Sequence, residues 1–266
     1  MIKQFFKPAT KPVSACVFTG IFTFCITCCF LIYSSYFLTQ AFAMPLSKKV
    51  VVIDAGHGGF DPGMVSQGTE EKHINLSISK KLQTFLEQAG ATVIITRVDD
   101  GDLGRGKSSD MNARKLIANT SHGDIFVSIH QNSFSSGSVK GAQVFFYNQS
   151  DNSQKLASFV QEKIVEFVDP ANKFDAKANS NYYVLKQTEM PAILVECGFL
   201  TNYAERQKLL DTAYQEKIAW AIYLGILDYF NDHINDHING HINDAADEVP
   251  EETPDKSPPE ETPKLP

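Results

Sequence analysis

Short β-branched runs alternate with longer windows of helical periodicity between residues 47 and 230. The run Val-Val-Val-Ile at residues 50–53 predicts a buried strand, and apolar residues recur at helical spacing after it, from Leu76 to Leu86. Further strands are expected at residues 91–96, 124–130, 141–147, 182–185 and 192–196, and further helices near residues 111–118, 153–168 and 214–230. Strands that alternate with helices indicate an α/β fold, a single domain with a twisted, mostly parallel sheet flanked by helices.

The residues before this domain form a different kind of segment. Three lysines within the first eleven residues precede an almost uninterrupted apolar run over residues 13–43, which ends in Ala-Phe-Ala. This pattern predicts that residues 1–46 are an export segment and that the rest of the chain lies outside the cytoplasm. The run is long enough to stay in the membrane as an anchor, while its small-residue end suits a signal peptidase. An anchored form and a secreted form are therefore both open.

The residues after the domain, 231–266, carry an Asp-His-Ile-Asn repeat and then a stretch rich in Pro and Glu. Asn and Asp are poor helix formers, and a segment with so few apolar residues cannot form a core, so we expect a disordered tail. Eight acidic residues and two lysines lie from Asp244 onward, which assigns −6 of the net charge of −7 to this tail. The domain itself is nearly neutral and has no basic stripe, which argues against nucleic acid as a partner.

Four side chains that commonly bind metals or protons stand next to the predicted elements. His57 follows the first strand, His130 ends the third, and Glu196 ends the last. Glu71 opens the first helix. Because ligands gather beyond the carboxyl ends of the strands in such sheets, we expect these side chains to converge at one rim.

Two histidines and one glutamate suit a zinc site. Zn²⁺ takes imidazole nitrogen and carboxylate oxygen, and three protein ligands leave a fourth position for a water that becomes nucleophilic at neutral pH. Glu196 follows the apolar residues 192–195, where burial would raise its pKa and fit it to act as a general base. The plainer interpretations that stay open are a structural histidine for His57, a helix-dipole partner for Glu71 and a surface ion pair for Glu196.

Five ordered blocks stand out within residues 50–230. They are residues 51–59 (Val-Val-Ile-Asp-Ala-Gly-His-Gly-Gly), Glu71-Lys72 with Asn75-Leu76, Thr96-Arg97, residues 128–130 (Ser-Ile-His) with Asn132, and residues 190–202, which contain Val-Glu-Cys-Gly-Phe-Leu. Together these blocks resemble the zinc-dependent N-acetylmuramoyl-L-alanine amidases. The resemblance implies a zinc ion bound by His57, Glu71 and His130, with Glu196 catalytic. It also implies the substrate, peptidoglycan, in which the amide bond between N-acetylmuramic acid and L-alanine is hydrolysed.

One stretch narrows the resemblance. Residues 179–185 (Asn-Ser-Asn-Tyr-Tyr-Val-Leu), together with the export segment and the short domain, are most similar to the germination-specific, CwlD-type amidases of spore-forming bacteria. This implies a role in spore-cortex maturation, where peptides are removed from muramic acid so that the muramic δ-lactam can form. It places the enzyme at the cell wall or forespore envelope and leaves an accessory sporulation protein open as a partner. Lys186, where many relatives have Arg, and the tail after Asp232 depart from the family pattern.

Arg97, Arg114 and Asn132 are candidates for substrate binding. Arg97 ends a strand on the same rim, and Arg114 precedes the strand that leads to His130. Each arginine either orients a substrate carboxylate or only ties loops to Asp residues. Asn132 belongs to the His130 block. Cys197 has no basic partner in the sequence pattern, so we expect a buried structural thiol.

Two other functions are considered beside the amidase. A catalytically silent relative that binds peptidoglycan or regulates its synthesis would be expected to lack one of the four site residues, and all four are present. A different zinc hydrolase, acting on wall peptides or acetyl groups, stays open. Only an amidase would separate an intact stem peptide from the lactyl group of the glycan.

Overall fold

The structure, a computed structural model, describes residues 22–34 and 44–247, with side chains described for residues 22–34 and 44–232. Residues 22–34 are helical (α1). Most of the predicted export segment and residues 248–266 lie outside the described residues. Within the described ranges, no helix combines the length and the apolar character needed to cross a membrane.

A mostly parallel sheet forms the centre of the domain. The strands are, in chain order, β1 (Val50–Ala55), β2 (Val65–Ser66), β3 (Thr69–Glu70), β4 (Thr92–Ile95), β5 (Ile125–Asn132), β6 (Gln143–Phe146), β7 (Lys177–Ala178) and β8 (Ala192–Phe199). The central sheet has six strands in the order β4-β1-β5-β8-β6-β7, and β2 pairs with β3 separately. The strands β4, β1, β5 and β8 run parallel, whereas β6 is antiparallel to β8. The predicted α/β fold with a mostly parallel sheet is confirmed.

Helices cover both faces of this sheet. After α1 they are α2 (Glu71–Gln88), α3 (Lys107–Thr120), α4 (Asp151–Phe167), α5 (Tyr183–Gln187), α6 (Tyr203–Leu210) and α7 (Thr212–Asp247). One core cluster joins the sheet to α2, α4 and α7, and a second joins its other face to α3 and α5. The sheet is therefore the middle layer of three.

The first strand shows why the sequence produces layers on both sides. Val51 and Ile53 belong to the cluster with α2 and α7, whereas Val52, between them, belongs to the cluster with α3 and α5. All three side chains are fully buried. A parallel strand with helices on both faces needs an apolar residue at every position, which explains the continuous apolar run.

Residues 182–185 are not a strand, contrary to the sequence-based expectation. Tyr182 directly precedes the short helix α5, and residues 183–185 belong to it. The side-chain oxygen of Asn179 accepts the main-chain N–H groups of Asn181 (2.7 Å) and Tyr182 (3.2 Å), and this turn leads the chain into a helical course. A local side-chain bond therefore overrides the strand preference of the two tyrosines and Val184.

The last helix is longer than expected. We predicted an end near Phe230 and disorder over residues 231–266, but the helix α7 extends to Asp247 and includes the Asp-His-Ile-Asn repeat. No proline occurs in this segment before Pro250. Because extending an existing helix costs far less than nucleating one, the packed first half of α7 supports the continuation of its backbone.

Candidate metal and catalytic site

Two neighbouring parallel strands bring His57 and His130 together. Just beyond the end of β1, the main-chain N–H of Gly56 donates to the carbonyl oxygen of Ile129 on β5 (3.1 Å). His130 is the next residue along β5, and its ring centroid lies 4.9 Å from that of His57. Both imidazoles therefore meet beyond the carboxyl end of β1.

The turn after β1 orients the imidazole of His57. This residue has a φ of 61°, a left-handed conformation that is unfavourable for residues other than glycine. Main-chain hydrogen bonds in both directions between Gly58 and Asp61 close the turn, at 2.9 and 3.0 Å. The Asp61 carboxylate accepts from Nδ1 of His57 at 2.8 Å, and Nε2 lies 3.3 Å from Oε1 of Glu71. The Asp61 contact thus assigns the proton to Nδ1 and leaves Nε2 for the site.

Glu71, the first residue of α2, lies between the two histidines and is 3% exposed. Its Oε1 lies 3.0 Å from Nδ1 of His130 and accepts from the main-chain N–H of Gln131 (3.0 Å) and from Nδ2 of Asn75 (3.1 Å). Its Oε2 accepts from the main-chain N–H of Met64 (2.9 Å). Burial alone would raise the pKa of Glu71, but the two histidines hold it well below its ordinary value. The carboxylate is therefore ionised and held in one orientation.

This group of three side chains fits a zinc ion. Their donor atoms, one each from His57, Glu71 and His130, lie within 4.8 Å of one another. In the described part of the chain, this is the one cluster of side chains that could hold a metal ion. Two imidazole nitrogens and one carboxylate oxygen are a donor set of catalytic zinc sites. The main chain at Gly63 packs closely against Glu71, because a Cβ at this glycine would lie only 2.6 Å from Oε2 of Glu71. The cluster is thus prearranged by the fold around it.

Glu196 reaches the same place from β8. It is the register partner of His130 on β5 and is 7% exposed. Its Oε1 accepts from the hydroxyl of Tyr182 at 3.3 Å, while Oε2 is buried and has no hydrogen-bond partner within residues 44–232. Burial raises the pKa of Glu196 to about 7, in the direction expected from the sequence. His57, Glu71, His130 and Glu196 all line one cavity of about 380 Å³.

Arg97 is 4% exposed, and its guanidinium is surrounded by main-chain oxygens. It donates at 2.7–3.0 Å to the carbonyl groups of Ala55, Gly56, Lys72 and Asp99. These bonds fix the turn before His57 against the start of α2. The contacts favour the loop-fixing interpretation of Arg97, and a direct role in substrate binding stays a prediction.

Arg114 ties the same turn to α3. Its guanidinium forms 2.7 Å ion pairs with Asp54 and Asp110 and donates to the carbonyl oxygens of Ala55 (2.9 Å) and His57 (2.7 Å). It is 2% exposed, although it lines the cavity. Its ion pairs match the interpretation in which it binds Asp residues within the protein.

Asn132 and Cys197 have different surroundings. Asn132, at the end of β5, lines the cavity, and its Oδ1 accepts the main-chain N–H of Ser133 at 2.8 Å. It stays a candidate for substrate binding. Cys197 is fully buried, and burial raises the pKa of its thiol well above the ordinary value, which fits the structural role expected from the sequence.

Two residues of the site were not foreseen from the sequence. Asp61, which contacts His57, is four residues beyond it in the glycine-rich turn, and that spacing could have indicated a partner for the imidazole. The sequence predicts a strand at Tyr182, and that prediction gives no indication that its hydroxyl lies beside Glu196. Both residues contact side chains that the sequence predicts for the site, His57 and Glu196, but the sequence analysis does not predict Asp61 or Tyr182 themselves.

The domain that holds this site is similar to known proteins. A family model described as N-acetylmuramoyl-L-alanine amidase matches residues 51–228. The germination-specific N-acetylmuramoyl-L-alanine amidase of Bacillus subtilis is 34% identical over 201 residues, which cover 73% of this chain and 84% of that protein.

Two solved structures extend the similarity to the fold. The CwlD amidase from Clostridioides difficile, solved in complex with the GerS lipoprotein, is 40% identical with a TM-score of 0.68, over 69% of this chain and 99% of that one. An N-acetylmuramoyl-L-alanine amidase from Clostridium difficile 630 is 36% identical with a TM-score of 0.64, over 69% and 97%.

Proposed function

Because the chain belongs to the N-acetylmuramoyl-L-alanine amidase family, we propose that His57, Glu71 and His130 hold a zinc ion and that Glu196 is the general base. The chain is a cell wall amidase that acts on peptidoglycan. The observation that supports the division of roles is the geometry of the rim. Three donor atoms lie within 4.8 Å of one another, and the buried carboxylate group of Glu196 lines the same cavity.

A zinc ion held by these three residues would act as a Lewis acid, which would polarise the scissile carbonyl and lower the pKa of a bound water toward about 7. The side chains of the protein do the rest. His57 presents Nε2 because Asp61 engages Nδ1, and Glu71 brings a negative charge that is already ionised. Both features prepare the ligand atoms before the metal arrives.

Glu196 is placed to move the proton. Its carboxylate takes a proton from the attacking water and then delivers it to the nitrogen of L-alanine as the C–N bond breaks. Burial raises its pKa to about 7, close to the value at which one carboxyl group can both accept and return a proton at neutral pH. This is the chemistry expected of the base in an amide hydrolase.

The other two functions are weaker. A silent, peptidoglycan-binding homologue would have no use for an assembled set of three ligands and a buried base, and all four line the cavity. A zinc hydrolase of another wall bond is tested by mass spectrometry of digested peptidoglycan. We expect free stem peptides that begin with L-alanine and glycan with free lactyl groups. Cleavage within the peptides or loss of acetyl groups would contradict this function.

The cellular role that we propose is spore-cortex maturation outside the cytoplasm. Support comes from the germination-specific relative and from residues 179–185, and the GerS complex of the CwlD relative suggests an accessory lipoprotein as partner. The same proposal includes export of the enzyme by residues 1–46, as a membrane-anchored or a secreted form. Deleting the gene in its native host and analysing the cortex tests this role. Loss of muramic δ-lactam would support it, and a cortex of unchanged composition would contradict it.

A further inference from the structure

Residues 179–185 carried the resemblance to one subgroup, but that resemblance gave them no chemical role. The structure places the fourth of these residues, Tyr182, against the carboxylate of Glu196. We propose that Tyr182 is a positioning residue that holds the general base in its reactive orientation. The inference rests on the proposed role of Glu196.

The hydrogen bond between the two side chains holds one oxygen of the Glu196 carboxylate in place. A phenol has a single proton to donate, and Tyr182 donates it to Oε1 of Glu196 at 3.3 Å. Oε2 has no hydrogen-bond partner within residues 44–232, so the bond from Tyr182 is the one hydrogen bond that orients the carboxylate in this part of the chain. The last torsion of a Glu side chain has a broad preference and does not fix the carboxylate by itself. Tyr182 supplies the missing constraint.

Tyr182 is itself held on three sides, as a positioning residue must be. Its ring packs edge-to-face on Phe145 of β6, with centroids 5.4 Å apart. Its main-chain N–H donates to Oδ1 of Asn179, and its carbonyl oxygen accepts the N–H of Lys186 in α5 (3.1 Å). Because β6 pairs with β8, the ring is supported by the strand next to the one that carries Glu196.

This arrangement explains why the chain forms a capped turn where its composition favours a strand. In an extended strand at residues 182–185 the Asn179 turn would be lost, and with it the support for the Tyr182 backbone. The turn and the short helix therefore act together to hold one hydroxyl group beside the base. A ring that served only for packing would need no hydroxyl, which makes the hydroxyl the feature to test.

The test compares Tyr182→Phe with Tyr183→Phe in the zinc-loaded protein, with release of stem peptides from peptidoglycan as the assay. Tyr183 is a matched control because the same change there removes a hydrogen bond to Asn112 (2.7 Å) and not to Glu196. Misplacing a reacting group by about 1 Å can cost about 100-fold in rate. We expect Tyr182→Phe to lower kcat by about 10- to 100-fold, with KM within about threefold, and to lose at least tenfold more kcat than Tyr183→Phe.

Zinc content and melting temperature separate positioning from a structural role. Tyr182→Phe should retain both at the wild-type level. A kcat within twofold of wild type, a loss equal to that of Tyr183→Phe, or a loss that comes with zinc release or unfolding would each overturn the proposal. If the wild-type protein itself released no stem peptide, the proposed function would fail, and the two failures are thereby distinguished.

Discussion

His130 on β5 and Glu196 on β8 are partners in the parallel register of the sheet. The pairing then shifts, because Asn132 pairs with Phe199, which leaves one additional residue in β8 directly after this pair. Such bulges bend a strand and redirect side chains next to active sites. A proposed metal ligand and the proposed base are thus held on adjacent strands instead of on mobile loops, which fixes their separation.

The first prediction concerns zinc binding. The protein from Ser47 onward should bind about one zinc ion per chain, and His57→Ala or His130→Ala should remove most of it after dialysis. Each substitution leaves two ligands, too few for a stable site. His73→Ala is the control, because His73 is exposed and its nearest carboxylate is that of Glu70 (3.2 Å). Full zinc content in both site variants, measured by metal analysis, would mean that the ligands are assigned wrongly.

The second prediction concerns Asp61, which contacts Nδ1 of His57. Asp61→Asn should weaken zinc affinity by about 10- to 100-fold, because an amide does not enforce the tautomer that leaves Nε2 free. Competition with a chelator measures this change. Asp175→Asn, an exposed position, should leave the affinity unchanged. Equal affinity in Asp61→Asn and wild type would show that the contact does not orient His57.

The third prediction concerns the buried pair of Asp54 and Arg114, which supports the turn that carries His57. Burial alone would raise the pKa of Asp54, but the Arg114 guanidinium and the hydroxyl of Ser128 hold it below its ordinary value of 3.8. Asp54→Asn should lower the free energy of unfolding at neutral pH by about 3 kcal/mol, because it leaves a buried cation less compensated.

The same pair gives a dependence on pH with a defined sign. Since the pKa of Asp54 is depressed in the folded protein, its ionised form contributes stability above pH 3.8, and that contribution is lost as the pH falls through the folded pKa. The difference in stability between wild type and Asp54→Asn should therefore shrink below about pH 4. Denaturant unfolding at several pH values measures it. A difference that grew on acidification would contradict the ionised state of Asp54.

The fold and the convergence of His57, Glu71 and His130 were predictable from local sequence patterns. The apolar run of β1 and the helical spacing of α2 are consistent from residue to residue, so they give the correct elements. Parallel pairing then places the residues beyond the strand ends at one rim, which is how His57 and His130 come to meet. No detail of packing is needed for that step.

The supporting contacts could not be predicted in the same way. Tyr182 contacts Glu196 only because Asn179 turns the chain before it, and a single side-chain hydrogen bond competes there with a strand preference. Arg97 lies two residues beyond the end of β4, and its donors are directed to main-chain oxygens of other segments. Long-range hydrogen bonds of this kind depend on the final packing and leave no periodic signal in the sequence.

The central claim is that the two glutamates of the cavity have different roles, Glu71 in holding zinc and Glu196 in moving the proton. The direct measurement is zinc content and peptide release for Glu71→Gln and Glu196→Gln, each with and without excess zinc. Glu196→Gln should keep its zinc and lose about 10²- to 10⁴-fold in turnover, with no rescue by zinc. Glu71→Gln should lose zinc, because an amide oxygen is a poorer ligand, and excess zinc should partly restore its activity. Near wild-type turnover in Glu196→Gln, or loss of zinc from it, would contradict this account.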